Sequence, residues 1–411
     1  MAKSKIWAFN KGEWAEAYVF MKLLGVGRVY GADSELKRNE NVFIDIINVL
    51  RFQDSKVFKY ERFDENVSGF IEDECFYVIT APSLERQADY LFKRIMSTEA
   101  GKRKLEDIES QRFLEEIGFT TPKQSSIPKE YQDRFGKKTD IILTSSDSRD
   151  KTISQEGYSI KSHLGSCPTL FNAAVSSGLI YEIVGCTEDD MNEINAKDKF
   201  TLMLSCIEEK GLEIKFVKAR SETFATNVSY TDSMMIHILD ALLRLQTGII
   251  PGAKSLSSED LVDELVNINP LNVPVPKYFY PAKVKQFHFD AFAGMTASVP
   301  WDGRKRLTGG YIDVGKDGEL LYYRAVSDDV FMSYLHKHLK FDRPDRGVNK
   351  EIAVAKAKAR IEGRDLSPEE LHSIMYDEQG QKKAVKGDWG YIYKDADKYY
   401  MVLNFQTRFR K

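Results

Sequence analysis

The chain has 411 residues, of which 42% are hydrophobic and 29% are charged. This composition excludes a wholly disordered chain, a coiled-coil rod and a collagen-like fibre. The chain contains 59 Lys and Arg and 62 Asp and Glu, so its net charge is -3. Any nucleic-acid site must therefore be a local basic patch. At roughly 150 residues per domain, the length predicts two or three units or one large unit.

The cysteines and the N-terminal segment indicate the compartment. Cys75, Cys167, Cys186 and Cys206 form no Cys-x-x-Cys pair, which favours free thiols in a reducing environment. The lysines near the N-terminus precede no apolar run of the signal-peptide kind, and no stretch approaches the ~20 apolar residues of a membrane helix. We therefore expect a cytoplasmic protein without a membrane partner.

The first third of the chain is expected to alternate between helices and strands. In chain order, the patterns predict helices at 11–24 and 35–50, strands at 56–63 and 70–79, and helices at 84–96 and 104–117. Asn10 is placed to cap the first helix, and Glu13 three positions later completes a capping-box pattern.

The rest of the chain continues the mixed pattern. We expect strands at 139–144, 158–162 and 179–184, a helix beginning near Pro168, a helix at 233–246, and a hairpin formed by 389–393 and 399–408. Four of the twelve prolines fall within residues 269–281, which predicts a boundary or a long connector. The fold class is therefore α/β or mixed α+β. We expect two domains, a core at residues 1–250 and a C-terminal α+β region at residues 251–411.

The central strands carry the most informative polar residues. Ser159 and Lys161 are two apart in a predicted strand and so share one face, and Asp140 begins the neighbouring strand. A carboxylate and a lysine on paired strands suit phosphodiester hydrolysis. The carboxylate holds Mg²⁺, which polarises the phosphate and acidifies water, and the lysine orients or helps to deprotonate that water. The alternative is that Asp140 caps a turn and Lys161 extends to solvent at the strand end.

The N-terminal helix offers a second carboxylate. Glu16 lies on the apolar stripe with Val19, Phe20 and Leu23, where an acid is out of place. One explanation is a salt bridge at the edge of the stripe, and the other is a metal ligand. For Glu13, which lies one turn earlier, the helix-capping role is the preferred interpretation.

Nine short segments together resemble the HpaII-type restriction endonucleases, within the PD-(D/E)XK nuclease superfamily. They are residues 11–18, 22–24, 139–141, 158–172, 292–296, 300–303, 309–312, 387–393 and 403–409. The most specific part is Ser-Ile-Lys-Ser-x-Leu-Gly from Ser159, followed by Thr-Leu-x-Asn ending at Asn172. The resemblance extends over nearly the whole chain and implies a central mixed sheet flanked by helices, with additional DNA-recognition and C-terminal α+β elements.

The resemblance also implies roles for single residues. Asp140 corresponds to the strand carboxylate and metal ligand, and Lys161 to the catalytic lysine. Ser159 occupies the position that is usually Asp or Glu, which leaves one strand carboxylate. Glu16 would then be needed as a second ligand, and the carbonyl of Ile160 as a further one.

Basic segments are candidates for DNA contact, since each neutralised phosphate adds salt-dependent affinity. Residues 337–361 contain eight Lys and Arg against three acids, and a second cluster lies at 304–306. The candidate DNA-binding residues are His163, Asn172, Arg304, Lys305, Arg306, Arg343 and Arg346. Alternatives remain open: residues 350–360 fit a solvated helix face, and His163 fits a structural role.

The resemblance implies a Mg²⁺-dependent type II endonuclease of a restriction–modification system. Its substrate would be double-stranded DNA with a short palindromic site, for which CCGG or a close variant is the first candidate. A cognate methyltransferase would act in the same system without binding the enzyme. A palindrome suits either a homodimer or a monomer that nicks sequentially. The alternatives are a catalytically inactive sequence-specific DNA-binding protein and a small-molecule α/β enzyme. Against the latter, Gly25 and Gly27 follow a helix and form no phosphate-binding loop after a strand.

Overall fold

A computed structural model describes residues 6–99, 104–124, 127–165, 167–197, 199–253, 255–306, 308–324, 329–342, 359, 364, 367–375 and 389–410. The helices are α1 (Lys11–Val26), α2 (Ala81–Ser97), α3 (Ile108–Glu116), α4 (Lys129–Phe135), α5 (Glu188–Asn195), α6 (Phe200–Glu209), α7 (Glu222–Thr231), α8 (Met235–Thr247), α9 (Ser258–Ile268), α10 (Pro276–Phe292), α11 (Asp329–His338) and α12 (Pro368–Met375).

The strands are β1 (Ala8–Phe9), β2 (Arg28–Ala32), β3 (Arg38–Gln53), β4 (Lys56–Phe63), β5 (Asn66–Ile71), β6 (Glu74–Thr80), β7 (Leu105–Glu106), β8 (Ile141–Asp147), β9 (Ile153–Ser162), β10 (Thr169–Phe171), β11 (Gly178–Val184), β12 (Glu213–Ala219), β13 (Gly310–Val314), β14 (Leu320–Arg324), β15 (Leu339–Phe341), β16 (Ile392–Asp395), β17 (Lys398–Asn404) and β18 (Thr407–Phe409).

The main sheet has nine strands in the order β2-β14-β13-β9-β8-β3-β4-β5-β6. Strand β13 runs parallel to β9, and β14 runs parallel to β2, whereas the other neighbours are antiparallel. Because β2 also pairs with β3, six of the strands form a closed circuit of pairings. Strands that are not contiguous in sequence therefore build the sheet.

The described residues also form a two-stranded sheet of β1 and β7 and two larger additional sheets. One has the order β12-β11-β17-β16, and the other has the order β10-β18-β15. The strands β17 and β18, near the C-terminus, pair with β11 and β10 from the first half of the chain. The division into residues 1–250 and 251–411 stays a prediction.

Helix α1 is positioned by extensive burial, because most of its residues from Trp14 to Gly25 are buried. It packs against α2 and against the main sheet, and Trp14, Tyr18 and Phe20 are fully buried there. The indole Nε1 of Trp14 donates to the carbonyl of Leu105 at 2.9 Å. The helix that carries Glu16 is therefore fixed against the strands that carry the other candidate residues.

Several predicted elements are confirmed. Strand β4 covers residues 56–63 as predicted, and α1 begins at Lys11 with the full capping box between Asn10 and Glu13. The C-terminal hairpin is formed by β16 and β17. The segment predicted as one strand at 70–79 is divided between β5 and β6, because Glu72 and Asp73 adopt positive φ angles in a turn.

The helix predicted at 35–50 is wrong, because these residues form β3. Around Ile44, Asp45 and Ile46, burial alternates with a period of two, and β-branched residues are frequent along the segment. Apolar residues at helical spacing also occur there, but pairing with β8 and β4 on either side decides the conformation.

The helix predicted to begin near Pro168 is also wrong. The residues after Pro168 form β10, which pairs with β18 some 240 residues away in sequence. A long-range partner of this kind is not visible in the local pattern. The proline-rich segment contains a connector, but α10 begins at Pro276 and includes Pro281. In the described part of the chain, no helix is long and apolar enough to cross a membrane.

Candidate active site

The pairing of β8 with β9 places Asp140 beside the Ser159–Lys161 segment. The backbone N–H of Asp140 donates to the carbonyl of Tyr158 at 2.8 Å, which fixes the residue at the entrance of β8. The Asp140 Oδ2 atom accepts hydrogen bonds from the backbone N–H of Ile160 at 2.7 Å and from the Ser159 hydroxyl at 3.1 Å. One carboxylate oxygen is thus held by the neighbouring strand.

Lys161 is linked to this carboxylate through Ser159. The Lys161 Nζ atom donates to the Ser159 Oγ at 2.7 Å and approaches the carbonyl oxygen of Ile160 at 3.4 Å. The predicted common face of Ser159 and Lys161 is confirmed by this contact. The three side chains form one hydrogen-bonded series in the order lysine, serine, aspartate.

Glu16 approaches the same place from α1. Glu16 and Asp140 line one small cavity together with Ile160, and the backbone N–H of Gln124 donates to the Glu16 Oε2 at 2.7 Å. Burial, together with the nearby charge of Asp140, raises the pKa of Glu16 to about 8. The explanation of Glu16 as a salt-bridged residue at the stripe edge is not supported, since its hydrogen-bond partner is the backbone amide of Gln124 and it forms no ion pair with any other described residue.

Glu13 has a different environment. Its carboxylate accepts the backbone N–H of Asn10 at 3.0 Å and pairs with the Lys123 ammonium at 2.8 Å. The predicted helix-capping role of Glu13 is therefore confirmed. Of the two acids on α1, Glu16 is the one that shares a cavity with Asp140.

The donor set fits a hard divalent cation. Two partly buried carboxylates, Asp140 and Glu16, repel each other in a shared cavity, and a bound cation would relieve this repulsion. Among the described residues, no group of three or more His, Cys, Asp or Glu side chains is arranged to hold a metal ion. A third protein ligand would be a backbone atom, for which the carbonyl oxygen of Ile160 is the candidate because this residue lines the cavity.

Lys138 is a neighbour that the sequence reasoning missed. Its Nζ donates to the carbonyl of Ala291, and its burial, with the nearby charge of Lys161, lowers the pKa of Lys138 to about 7. The signal available in the sequence was its position two residues before Asp140. With a pKa near 7, Lys138 carries only part of a positive charge at neutral pH.

His163 lies in a buried network. Its Nε2 is 3.0 Å from the Asp313 Oδ1, which also accepts the hydroxyl of Tyr311 at 2.7 Å and that of Tyr334 at 3.3 Å. This arrangement favours the structural alternative for His163. Asn172 is exposed at the end of β10.

The predicted cluster at 304–306 borders a groove of about 610 Å³ next to the site. Its cationic lining residues are Lys129, Lys137, Lys138, Arg304 and Arg306, and its acidic ones are Asp133 and Asp302. Arg306 is paired with Asp302 and Lys305 with Asp290, whereas Arg304 is exposed. The predicted contacts Arg343 and Arg346 lie outside the described residues, as does most of the basic segment 337–361.

Comparison with known proteins gives an independent result. The sequence profile described as HpaII restriction endonuclease matches residues 10–350. A curated relative, the type II restriction enzyme HpaII of Haemophilus parainfluenzae, is 29% identical over 339 residues, which cover 82% of this chain and 90% of the relative. No solved structure matches the chain. The matched region contains Glu16, Asp140 and Lys161, and the chain belongs to the HpaII restriction endonuclease family.

Proposed function

We propose that this restriction endonuclease hydrolyses phosphodiester bonds of double-stranded DNA with Mg²⁺, at the site formed by Asp140, Ser159, Lys161 and Glu16. The observation that carries the proposal is the hydrogen-bonded series from Lys161 through Ser159 to Asp140, with the Glu16 carboxylate in the adjoining cavity. These are the groups that hydrolysis of a phosphodiester needs: ligands for a hard cation and a lysine beside them.

Each residue has a distinct part in the proposed reaction. Asp140, Glu16 and the Ile160 carbonyl would hold Mg²⁺, which when bound polarises the phosphate and lowers the pKa of water. Lys161 orients the attacking water and stabilises the negative charge that develops on the phosphate. Ser159 holds the Lys161 ammonium in place, because its hydroxyl oxygen accepts a hydrogen bond from Lys161 Nζ while its O–H donates a hydrogen bond to Asp140.

The groove beside the site is the surface that we assign to DNA. It contains three exposed cations, Lys129, Lys137 and Arg304, for which no ion pair occurs among the described residues. Since the whole chain is slightly acidic, this local excess of positive charge favours the phosphate backbone. Lys138 lines the groove and lies two residues from Asp140, so DNA bound there would adjoin the candidate catalytic residues.

The recognition sequence and the assembly belong to the same proposal. The family resemblance makes CCGG the first sequence to test, and base contacts by Arg304 or Arg306 are compatible with guanine readout. A cytoplasmic location, a homodimer on a palindromic site and a cognate methyltransferase of the same system follow from the proposed activity.

The test is a cleavage assay on unmethylated phage DNA. The wild-type protein is expected to give discrete fragments with Mg²⁺ and none with EDTA, and Lys161→Ala is expected to abolish the fragments while DNA binding is retained. The fragment ends then give the recognition sequence. Absence of cleavage by the folded wild-type protein, on DNA that contains many sequence contexts, would overturn the proposal.

A catalytically inactive DNA-binding protein is the second candidate. The observation that favours it is Ser159, which stands where a second strand carboxylate is usual, so that the site depends on Glu16 from a distant helix. Salt-sensitive DNA binding without any cleavage in Mg²⁺ or Mn²⁺ would select this candidate.

A further inference from the structure

Arg51 is a buried cation next to the candidate metal cavity. It lies near the end of β3, is only 3% exposed, and lines the cavity together with Glu16 and Asp140. A buried charge is costly unless it is paired or hydrogen-bonded. Among the described residues, no carboxylate lies within hydrogen-bond distance of the Arg51 guanidinium. Its partners are instead backbone carbonyls and an aromatic ring.

The guanidinium of Arg51 holds the segment that leads to Gln124, a lining residue of the cavity. Its Nη2 donates to the carbonyl of Thr121 and, at 2.7 Å, to the carbonyl of Lys123. The guanidinium also lies 3.7 Å from the centre of the Phe119 ring, which fixes the plane of the group. One arginine therefore contacts three positions of the segment 119–123.

Gln53, two residues later on β3, holds the same segment. Its Nε2 donates to the carbonyl of Gly118 at 2.6 Å, and its Oε1 accepts the backbone N–H of Thr120 at 2.8 Å. Arg51 and Gln53 are both buried polar residues on a strand end that is otherwise apolar. Together they fix the backbone from Gly118 to residue 123.

The segment ends at the hydrogen bond that orients Glu16. The backbone N–H of Gln124 donates to the Glu16 Oε2 at 2.7 Å, and the Gln124 side chain donates to the carbonyl of Phe52 at 3.3 Å. The position of the Gln124 N–H depends on residues 121–123, which Arg51 holds. A continuous series of contacts therefore joins Arg51 to the Glu16 carboxylate.

The Arg51 Nε atom gives an independent indication. It is buried and has no hydrogen-bond partner among the described residues. In a packed core, nearly all buried donors have a hydrogen-bond partner. The free Arg51 Nε lies instead beside a cavity that is lined by two carboxylates, which is more typical of a ligand-binding site.

We propose that Arg51 is a positioning residue of the endonuclease, which fixes the Glu16 carboxylate for metal binding through the segment 121–124. The inference rests on the proposed function, since it assigns Glu16 to the metal. Gln53 assists through Gly118 and Thr120. Loss of an outer partner of a metal ligand typically weakens metal binding about 10–100-fold, and we expect an effect within this range here.

The test compares Arg51→Met and Arg51→Lys with the wild type. Mn²⁺ binding to the free protein is measured by electron paramagnetic resonance, and the Mg²⁺ concentration for half-maximal cleavage is measured separately. We expect Arg51→Met to weaken both about tenfold or more, with unchanged DNA affinity in EDTA. Arg51→Lys should recover part of the loss, since a lysine keeps the charge and one bond but not the planar stacking.

Arg62→Met is the matched control. Arg62 is partly buried and, like Arg51, donates to a backbone carbonyl, that of Leu24 at 3.0 Å, but it does not line the cavity. We expect this variant to keep wild-type Mn²⁺ binding. Gln53→Met loosens the same segment while leaving Arg51 in place, and it provides the decision if Arg51→Met does not fold.

Two outcomes decide the inference. Weaker Mn²⁺ binding in folded Arg51→Met or Gln53→Met, but not in Arg62→Met, supports it. Wild-type Mn²⁺ binding in the folded variants overturns it, whatever happens to their thermal stability. Failure of the wild-type protein to cleave DNA would instead overturn the proposed function, so that the two failures are distinguishable.

Discussion

The Lys161 ammonium donates to the Ser159 hydroxyl at 2.7 Å, so the residue that replaces the usual acid is in direct contact with the candidate catalytic lysine. The same hydroxyl donates to Asp140 at 3.1 Å. A serine at this position therefore keeps a connection between lysine and aspartate, although it supplies no charge for a metal ion. The connection leads to the first prediction.

Ser159→Ala is expected to slow DNA cleavage by roughly 10–100-fold. The variant loses the hydrogen bond that holds the Lys161 ammonium. A hydrogen bond to a charged group contributes about 1.5–3 kcal/mol, and about 1.4 kcal/mol corresponds to a tenfold change in rate. Single-turnover cleavage at saturating Mg²⁺ measures the effect. Ser205→Ala, on the exposed surface of α6, is the control and should cleave at the wild-type rate. An unchanged rate in Ser159→Ala would show that Lys161 needs no such support.

Glu16→Gln and Glu13→Gln are expected to behave differently. Glu16→Gln should reduce the cleavage rate by roughly 100-fold or more. Loss of a residue that only supports a metal ligand typically costs about 10–100-fold, and loss of a ligand itself should cost at least as much. Glu13→Gln should retain activity and lose about 1 kcal/mol of stability at most, because glutamine is accepted in a capping box and the lost pair with Lys123 is exposed. Cleavage rates and urea unfolding are the measurements. Equal losses of activity in both variants would contradict the assignment of Glu16.

The groove is expected to determine the salt dependence of DNA binding. Each of Lys129→Gln, Lys137→Gln and Arg304→Gln should reduce the slope of log K against log salt by about 0.9, the value for one phosphate contact. Fluorescence anisotropy in EDTA over a range of salt concentrations measures the slope. Lys215→Gln, an exposed residue of β12 that does not line the groove, should leave it unchanged. An unchanged slope in all three groove variants would place the DNA elsewhere.

His163→Phe is expected to destabilise the protein by about 1–3 kcal/mol, because the buried Asp313 carboxylate loses one hydrogen-bond partner. The salt slope of DNA binding should stay at the wild-type value. Urea unfolding and anisotropy are compared on the same preparations. A slope reduced by about 0.9 at unchanged stability would instead support a phosphate contact of His163.

His288 is expected to make stability dependent on pH. The ring is fully buried, and neither nitrogen has a hydrogen-bond partner among the described residues. Burial, with the nearby His336, lowers the pKa of His288 to about 3, compared with an ordinary value of 6.5. The unfolded chain therefore binds a proton that the folded protein does not, and stability falls as the pH decreases from about 6.5 towards 3.

The comparison of variants isolates this contribution. His288→Phe should show a smaller loss of stability between pH 7 and pH 5 than the wild type. His237→Phe, at an exposed position of α8, should retain the wild-type loss. Equal pH dependence of all three proteins would contradict the prediction for His288.

Local patterns in the sequence determined several parts of this protein. The capping box at Asn10, the apolar helix behind it and the paired strands around Asp140 and Lys161 depend on residues close together in the chain. Propensity and periodicity report such features directly. The same patterns failed at residues 35–50, where apolar residues fit a helix but the neighbouring strands impose β3.

Only the tertiary structure decided how the site is completed. Glu16 and Asp140 are separated by more than 120 residues, and their shared cavity depends on the packing of α1 against the main sheet. The role of Arg51 depends on carbonyl groups of a segment about 70 residues later. Sequence determined which residues had chemistry available, because that depends on residue type and short spacing. The fold determined which of them meet, because burial and long-range strand pairing act between distant parts of the chain.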